Sequence, residues 1–159
     1  MGQIKPPKWA KCSCQTHLDE PLKIALLNLE HHIAQNGGKI TAGIMPTLPA
    51  DRTQMVMVFQ NLIGNALKYR RVERPQICIE AVREETYWRV SVADNGHGFE
   101  SEYAETIFNP FRRLHGKNVP GSGIGLATCK RVLDRLGGSI WAESRLGEGS
   151  TFYFTLPAE

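Results

Sequence analysis

Apolar residues recur along this chain with two different periods, and the switches between them mark the elements. From Asp19 onward Leu22, Leu26, Leu29 and Ile33 return at helical spacing and stop at Asn36-Gly37-Gly38. That pattern predicts one amphipathic helix with Asp19 as its N-cap, Pro21 in its first turn and a glycine C-cap. KITAGI reads as a short strand, and MPTLPAD as a proline-marked connection ending in Asp51, the N-cap of a second helix that runs to about Arg70. QICIEAVREETYWRVSVAD alternates with period two on either side of Glu85-Thr86, which predicts an antiparallel pair. A short helical patch at SEYAETIF and a turn-rich NPFRRLHGKNVPGSG come next. A helix from Ile124 to Leu136 follows, with Leu126, Cys129, Leu133 and Leu136 on one face and Gly137-Gly138 as its stop. The end, SIWAESRLGEGSTFYFTLP, is a second hairpin with Gly147-Glu148-Gly149 in its loop. Residues 1–18 show no period and contain Pro6-Pro7, so they are expected to be a linker or a trimmed upstream boundary, with 19–159 as the domain. Helices and hairpins in this order imply an α+β fold: a two-layer sandwich whose mixed, mainly antiparallel sheet is covered on one face by helices.

Composition narrows the classes. With 159 residues, 42% hydrophobic and 22% charged, the chain has enough apolar material for one good core. A net charge of +3 without Lys/Arg runs beyond Arg70-Arg71 and Arg112-Arg113 argues against a nucleic-acid partner. Cys12 and Cys14 form a Cys-x-Cys pair with no second pair at metal-ligand spacing, so these thiols and those of Cys78 and Cys129 are expected to be free and the chain cytoplasmic. The longest apolar runs are far too short to cross a bilayer.

The second helix carries two faces. Met55, Phe59, Leu62, Ile63 and Ala66 fall on one side, while Asn61, Asn65, Lys68 and Tyr69 fall on the other. Each mid-helix asparagine costs on the order of half a kcal/mol against Ala, so a merely wet surface would do better with Glu or Lys. A neutral amide oxygen suits Mg²⁺, which keeps much of its water, and a lysine one turn on can reach a phosphate as a point charge.

In VADNGHG, Asp94 ends a strand patterned by Trp88, Val90 and Val92, and Asn95-Gly96 would make a hairpin turn were an alternating strand to follow. None does. An ionised carboxylate at the floor of a pocket could instead accept from an exocyclic amine, with Gly96 and Gly98 letting the backbone come close. PGSGIGLAT is not a P-loop, because no Lys precedes its Ser, nor a dinucleotide fingerprint, because Leu126 occupies the third glycine position and no apolar strand leads into Gly121. Gly121, Gly123 and Gly125 still expose N–H groups at a helix N-terminus, which favours phosphate.

Taken in order, NLIGNALKY, DNGHGF, FNPFRR and GSGIGLA resemble the N, G1, F and G2 boxes of the catalytic ATP-binding domain of bacterial sensor histidine kinases, of the Bergerat-fold ATPase superfamily, with a phytochrome-like flavour. The resemblance implies ATP and Mg²⁺ as cofactors, with Asn65 on the metal and Asp94 on the adenine amine. It implies that Gly96, Gly98, Phe99, Lys68, Tyr69 and Thr151 line the nucleotide, that Arg113 approaches the phosphates, and that Phe111, Gly121, Ser122, Gly123, Ile124, Gly125 and Leu126 complete the site. Residues 109–120 would be its lid. Asn61 stands where relatives that hydrolyse ATP carry a general-base Glu, and an amide cannot take up a proton. The expected chemistry is therefore transfer of the γ-phosphoryl group to a histidine on a separate dimerisation domain, with Asn61, Asn65, Lys68 and Arg113 as the catalytic set and a response regulator downstream. His17, His31, His32, His97 and His115 all lack the acceptor motif, so a monomeric catalytic fragment is expected. A stand-alone serine kinase of the anti-sigma-factor type, or a non-catalytic nucleotide-binding module, is the alternative.

Overall fold

A computed structural model describes residues 15–69, 74–109 and 125–158. In chain order they form β1 (Gln15–His17), α1 (Asp19–Asn28), α2 (Glu30–Asn36), β2 (Lys39–Ala42), β3 (Thr47–Pro49), α3 (Arg52–Lys68), β4 (Gln76–Arg83), β5 (Tyr87–Asp94), α4 (Gly125–Arg135), β6 (Ser139–Arg145) and β7 (Gly149–Pro157), with 3-10 turns at Ser101–Tyr103 and Thr106–Phe108. The main sheet has five strands in the order β2-β4-β5-β7-β6. Only β2 runs parallel to its neighbour, so the sheet is mixed and mainly antiparallel, as the alternation predicted.

The first expected helix is two. Its backbone breaks at Leu29 (φ −101°, ψ 2°), whose side chain is buried, and the sequence holds no Gly or Pro there to announce it. Leu18 rather than Asp19 takes the cap position; Asp19 lies in the first turn, where its carboxylate suits the helix dipole. Gly37, at φ 64°, closes α2 in the left-handed conformation expected of it.

Of the expected linker, residues 1–14 lie outside the described residues, and the remainder is part of the fold. β1 pairs antiparallel with β3, Thr16 Oγ1 donates to Ala50 O at 2.6 Å, and Leu18 is completely buried.

On α3 the two-faced reading holds. Asp51 caps the helix, accepting from Gln54 N–H at 2.9 Å, and Met55, Phe59, Leu62, Ile63 and Ala66 are all buried. Burying such side chains contributes about 1.5–3 kcal/mol each for the large ones, which outweighs about half a kcal/mol apiece for Asn61 and Asn65.

Directly paired residues of adjacent strands share a face. Ile79, Val92, Phe152 and Ala142 form one such row and are buried under the helices. Two residues along, Ile77, Asp94, Ser150 and Ser144 form the next row on the same face. The intervening row of Cys78, Ala93, Thr151 and Glu143 belongs to the open face. There Trp141 stacks on Tyr153 (5.3 Å between centroids, 15° between planes), and the Arg89 guanidinium lies 5.8 Å over the Tyr153 ring.

Candidate functional site

Asp94 ends the last row of the helix-covered face, where the apolar pattern gives way to polar groups. Its Oδ1 accepts from Gly96 N–H at 2.8 Å and more distantly from Ser150 N–H at 3.4 Å, and among the described residues no hydrogen bond reaches Oδ2. Burial raises the carboxyl above the ordinary 3.8, and the two backbone N–H groups oppose that rise. Burial prevails, so the ionised form is held at a cost that a ligand donating to Oδ2 would relieve.

The turn after Asp94 is tied on three sides. His97 N–H donates to Tyr69 O at 2.8 Å, joining the turn to the end of α3. His97 O accepts from Gly147 N–H at 2.6 Å, and Phe99 N–H donates to Ser144 Oγ at 2.8 Å, joining it to the β6–β7 hairpin. Asn95 accepts from Gln76 N–H at 2.9 Å and donates to Arg74 O at 3.1 Å, joining it to the start of β4.

These ties explain the glycines. A Cβ on Gly96 would stand 2.5 Å from Tyr69 O and 2.9 Å from Asp94 Oδ1. Gly98 has φ 67°, and a Cβ there would run into the Arg145 carbonyl. Both glycines are required where backbone meets backbone, on the side facing the protein.

The polar face of α3 leads to the same turn. Asn65 is half-buried, Lys68 is exposed in the last turn, and Tyr69 forms the C-cap, its N–H bonded to Asn65 O at 3.1 Å. Asn61 is turned toward α4: its Oδ1 would lie 2.9 Å from a Cβ on Gly125, and its amide stands beside the Cys129 thiol. Burial pushes that thiol up to about 12, which makes it inert at neutral pH. Leu126 packs partly buried against the core, and Phe99 is buried with its ring 6.4 Å from that of Phe152, so both belong to the core beside Asp94's turn and α4. Asn61 and Gly125 thus meet, as do Tyr69, Asp94 and Gly96, while Gly98 sits against Arg145 and Gly149 of the hairpin. Phe111, Arg113, Gly121, Ser122, Gly123 and Ile124 lie outside the described residues, as does the expected lid beyond Asn109.

The hydroxyl on Asp94's side of the sheet is that of Ser150 rather than Thr151. Thr151 pairs with Ala93 and so falls on the open face, although it borders, with Asp94, Glu143, Ser144, Arg145, Glu148, Gly149 and Ser150, a cavity of about 280 Å³. Ser150 was not singled out from the sequence because Ser-Thr after Gly149 fits either pleat phase. The signal was available in the alternation of Phe152, Phe154 and Leu156, which places even-numbered positions of β7 inward. No group of three or more His, Cys, Asp or Glu side chains among the described residues could hold a metal, and no described helix is long and apolar enough to cross a membrane.

Residues 50–159 match the family described as "Histidine kinase-, DNA gyrase B-, and HSP90-like ATPase". Over 143 residues the chain is 48% identical to cyanobacterial phytochrome A of Nostoc sp. strain PCC 7120, a match that covers 89% of this chain and 19% of that protein. The chain therefore spans about a fifth of the length of that curated relative. Among solved structures it resembles the catalytic domain of histidine kinase ThkA in a nucleotide-free form (TM-score 0.77, 30% identity, 91% of this chain and 95% of that one). It also resembles ThkA in complex with the response regulator TrrA (TM-score 0.75, 28% identity, 92% of this chain and 42% of that one).

Proposed function

The chain belongs to the histidine kinase-, DNA gyrase B- and HSP90-like ATPases and has the fold of histidine kinase catalytic domains, and from that premise we propose that it binds Mg-ATP and donates the γ-phosphoryl group to a histidine on a separate helical acceptor domain, with a response regulator as the next recipient. The observation that carries this reading is Asp94: a carboxylate strained toward protonation by burial, anchored through Oδ1, with Oδ2 left for a donor, and tied by one hydrogen bond to the end of the helix that presents Asn65 and Lys68.

In this reading Asp94 accepts from the adenine amine. Lys68 meets phosphate, as does Arg113 from the segment before α4. Asn65 is the residue that would hold Mg²⁺. A site with an amide and, among the described residues, no group of three or more His, Cys, Asp or Glu side chains placed to hold a metal fits a cation that takes most of its ligands from water and phosphate oxygens. Bound Mg²⁺ would neutralise charge on the phosphates being separated. Asn61, engaged at the α3–α4 contact, offers water no base, so the protein contributes positioning and charge neutralisation for an incoming nucleophile.

The test is γ-labelled ATP with the chain alone and then with a separately expressed acceptor domain. The expected result is no label on the chain and acid-labile, base-stable label on the added domain. Acid-stable label on a partner would move the assignment to a serine kinase, and acid-labile label on the chain alone would overturn the need for an outside acceptor.

A further inference from the structure

Beside Asp94 lies a pair of hydroxyls whose neighbours are all satisfied by one arrangement of their hydrogens. Ser144 Oγ and Ser150 Oγ are 2.9 Å apart, in register at the end of β6 and β7. Phe99 N–H points at Ser144 Oγ from 2.8 Å, and an amide N–H can only donate, so Ser144 accepts there. Gly149 O lies 3.0 Å from the same Ser144 Oγ, and a carbonyl can only accept, so this contact is a hydrogen bond when the single Ser144 hydrogen is donated to it. The hydrogen between the two serines then belongs to Ser150, the one arrangement in which all three contacts of Ser144 Oγ are hydrogen bonds. With it spent on Ser144, the Ser150 oxygen has only lone pairs left.

Ser150 is the residue directly paired with Asp94, and both side chains lie on the helix-covered face. Paired side chains stand about 4.5–5.5 Å apart at Cβ, within reach of the two hydrogens of one amine. Ionised Asp94 is also an acceptor only. We propose that Ser144, without touching the nucleotide, fixes the polarity of Ser150, so that Asp94 and Ser150 present two acceptors side by side and select a base with an exocyclic amine over one with a carbonyl. A carbonyl placed there meets lone pairs from both sides and leaves them unpaired, which is the kind of mismatch that gives strong discrimination. Ser144 is then a positioning residue for specificity, and the inference rests on the reading of Asp94 as the adenine acceptor.

The decisive measurement is the ratio of Kd for ITP to Kd for ATP, since inosine differs from adenosine by carrying a carbonyl where adenosine has the amine. In the unsubstituted chain ATP should bind at least 100-fold more tightly. Ser144→Ala releases the Ser150 hydrogen, which can then turn to a carbonyl, and the ratio should narrow by about tenfold through a gain for ITP. Ser144→Thr, which keeps the hydroxyl, should hold the original ratio. A purely structural role for Ser144 would weaken both nucleotides equally and leave the ratio unmoved, and that result overturns the proposal. Ser150→Ala leaves Phe99 N–H and Gly149 O with their partner, so it serves if Ser144→Ala does not fold. It should weaken ATP by about tenfold and leave ITP unchanged; an equal loss for both, or none for ATP, counts against an acceptor at Ser150. Asp94→Asn separates the two layers of inference. If the unsubstituted chain discriminates and Asp94→Asn abolishes that discrimination while both serine variants keep it, only the hydroxyl proposal fails. If the unsubstituted chain binds ITP and ATP alike, the adenine reading fails and takes the proposal with it.

Discussion

Asp94 leads into a turn whose backbone is bonded to the end of α3 and to the β6–β7 hairpin and whose Asn95 side chain is bonded to the start of β4, whereas Asn65 and Lys68 stand on a helix that its apolar face would hold in place without them. The two ends of the proposed site are built on different principles. Around Asp94, the residues that define geometry are small polar groups bonded to backbone and glycines whose replacement collides with neighbouring backbone. On α3, the functional groups project from a regular element whose stability comes from Met55, Phe59, Leu62 and Ile63 on its other side. Substitution of the turn glycines should therefore disturb fold and binding together, while substitution of the polar residues on α3 should separate them.

The largest expected effect is on stability at the base end. Gly98→Ala places a Cβ against the Arg145 carbonyl and forces a side chain onto φ 67°, and should cost about 3–4 kcal/mol, read as a fall in the urea midpoint. A variant as stable as the parent would show that the turn is looser than its hydrogen bonds imply. Next comes Asn65→Ala, for which phosphoryl transfer to an added acceptor domain should drop about 100-fold, roughly 2.7 kcal/mol. The chemical-denaturation midpoint should stay within about 0.5 kcal/mol of the parent. Loss of fold with loss of transfer would erase the distinction between the two regions.

Asp51→Ala sharpens the comparison from the opposite end of α3. Removing the acceptor of Gln54 N–H should cost about 1 kcal/mol of stability while ATP affinity, measured by calorimetry, stays the same, because the cap is remote from Lys68. The smallest effect concerns Asp94 in the empty protein. Its pKa is raised on folding, so the folded state holds that proton more tightly than the unfolded chain does. Its contribution to stability thus diminishes as pH rises through the interval from 3.8 up to the raised value, and a penalty persists at neutral pH. Asp94→Asn should slightly raise the thermal midpoint at pH 7 even as it weakens ATP binding, and in the parent protein ATP affinity should fall as pH drops into that interval. A lower midpoint for the variant would mean that the anchoring of Oδ1, rather than burial, dominates.

What the sequence disclosed depended on how local each cause is. The Asp51 cap, the Gly37 stop and the buried stripe of α3 each follow from a few neighbouring residues, and each is present. The β1–β3 pair could not be seen, because its three-residue strands carry no alternation and their pairing joins Gln15 to Pro49. The break at Leu29 is likewise set by what the side chain meets in the core. At the site, Asp94 and its glycines were visible as a motif, yet the reason for the glycines was not: their missing side chains would meet Tyr69, Arg145 and Asp94. Thr151 borders the same cavity as Asp94, while Ser150, one residue earlier, shares Asp94's face of the sheet, a distinction of pleat phase. Ser144 and Asn95 gave no sign, since each acts by satisfying backbone groups distant in sequence.

The stacked rings of Trp141 and Tyr153 have a practical consequence. Of the three tryptophans in the chain, Trp9 lies outside the described residues and Trp88 packs against the core, while Trp141 lies flat on Tyr153 on the face turned away from Asp94. The stack holds only while β6 and β7 remain paired. Its emission is therefore a built-in optical gauge of sheet integrity that is blind to whether the opposite face is filled, so light from one side of the sheet can report unfolding while a labelled nucleotide reports binding on the other.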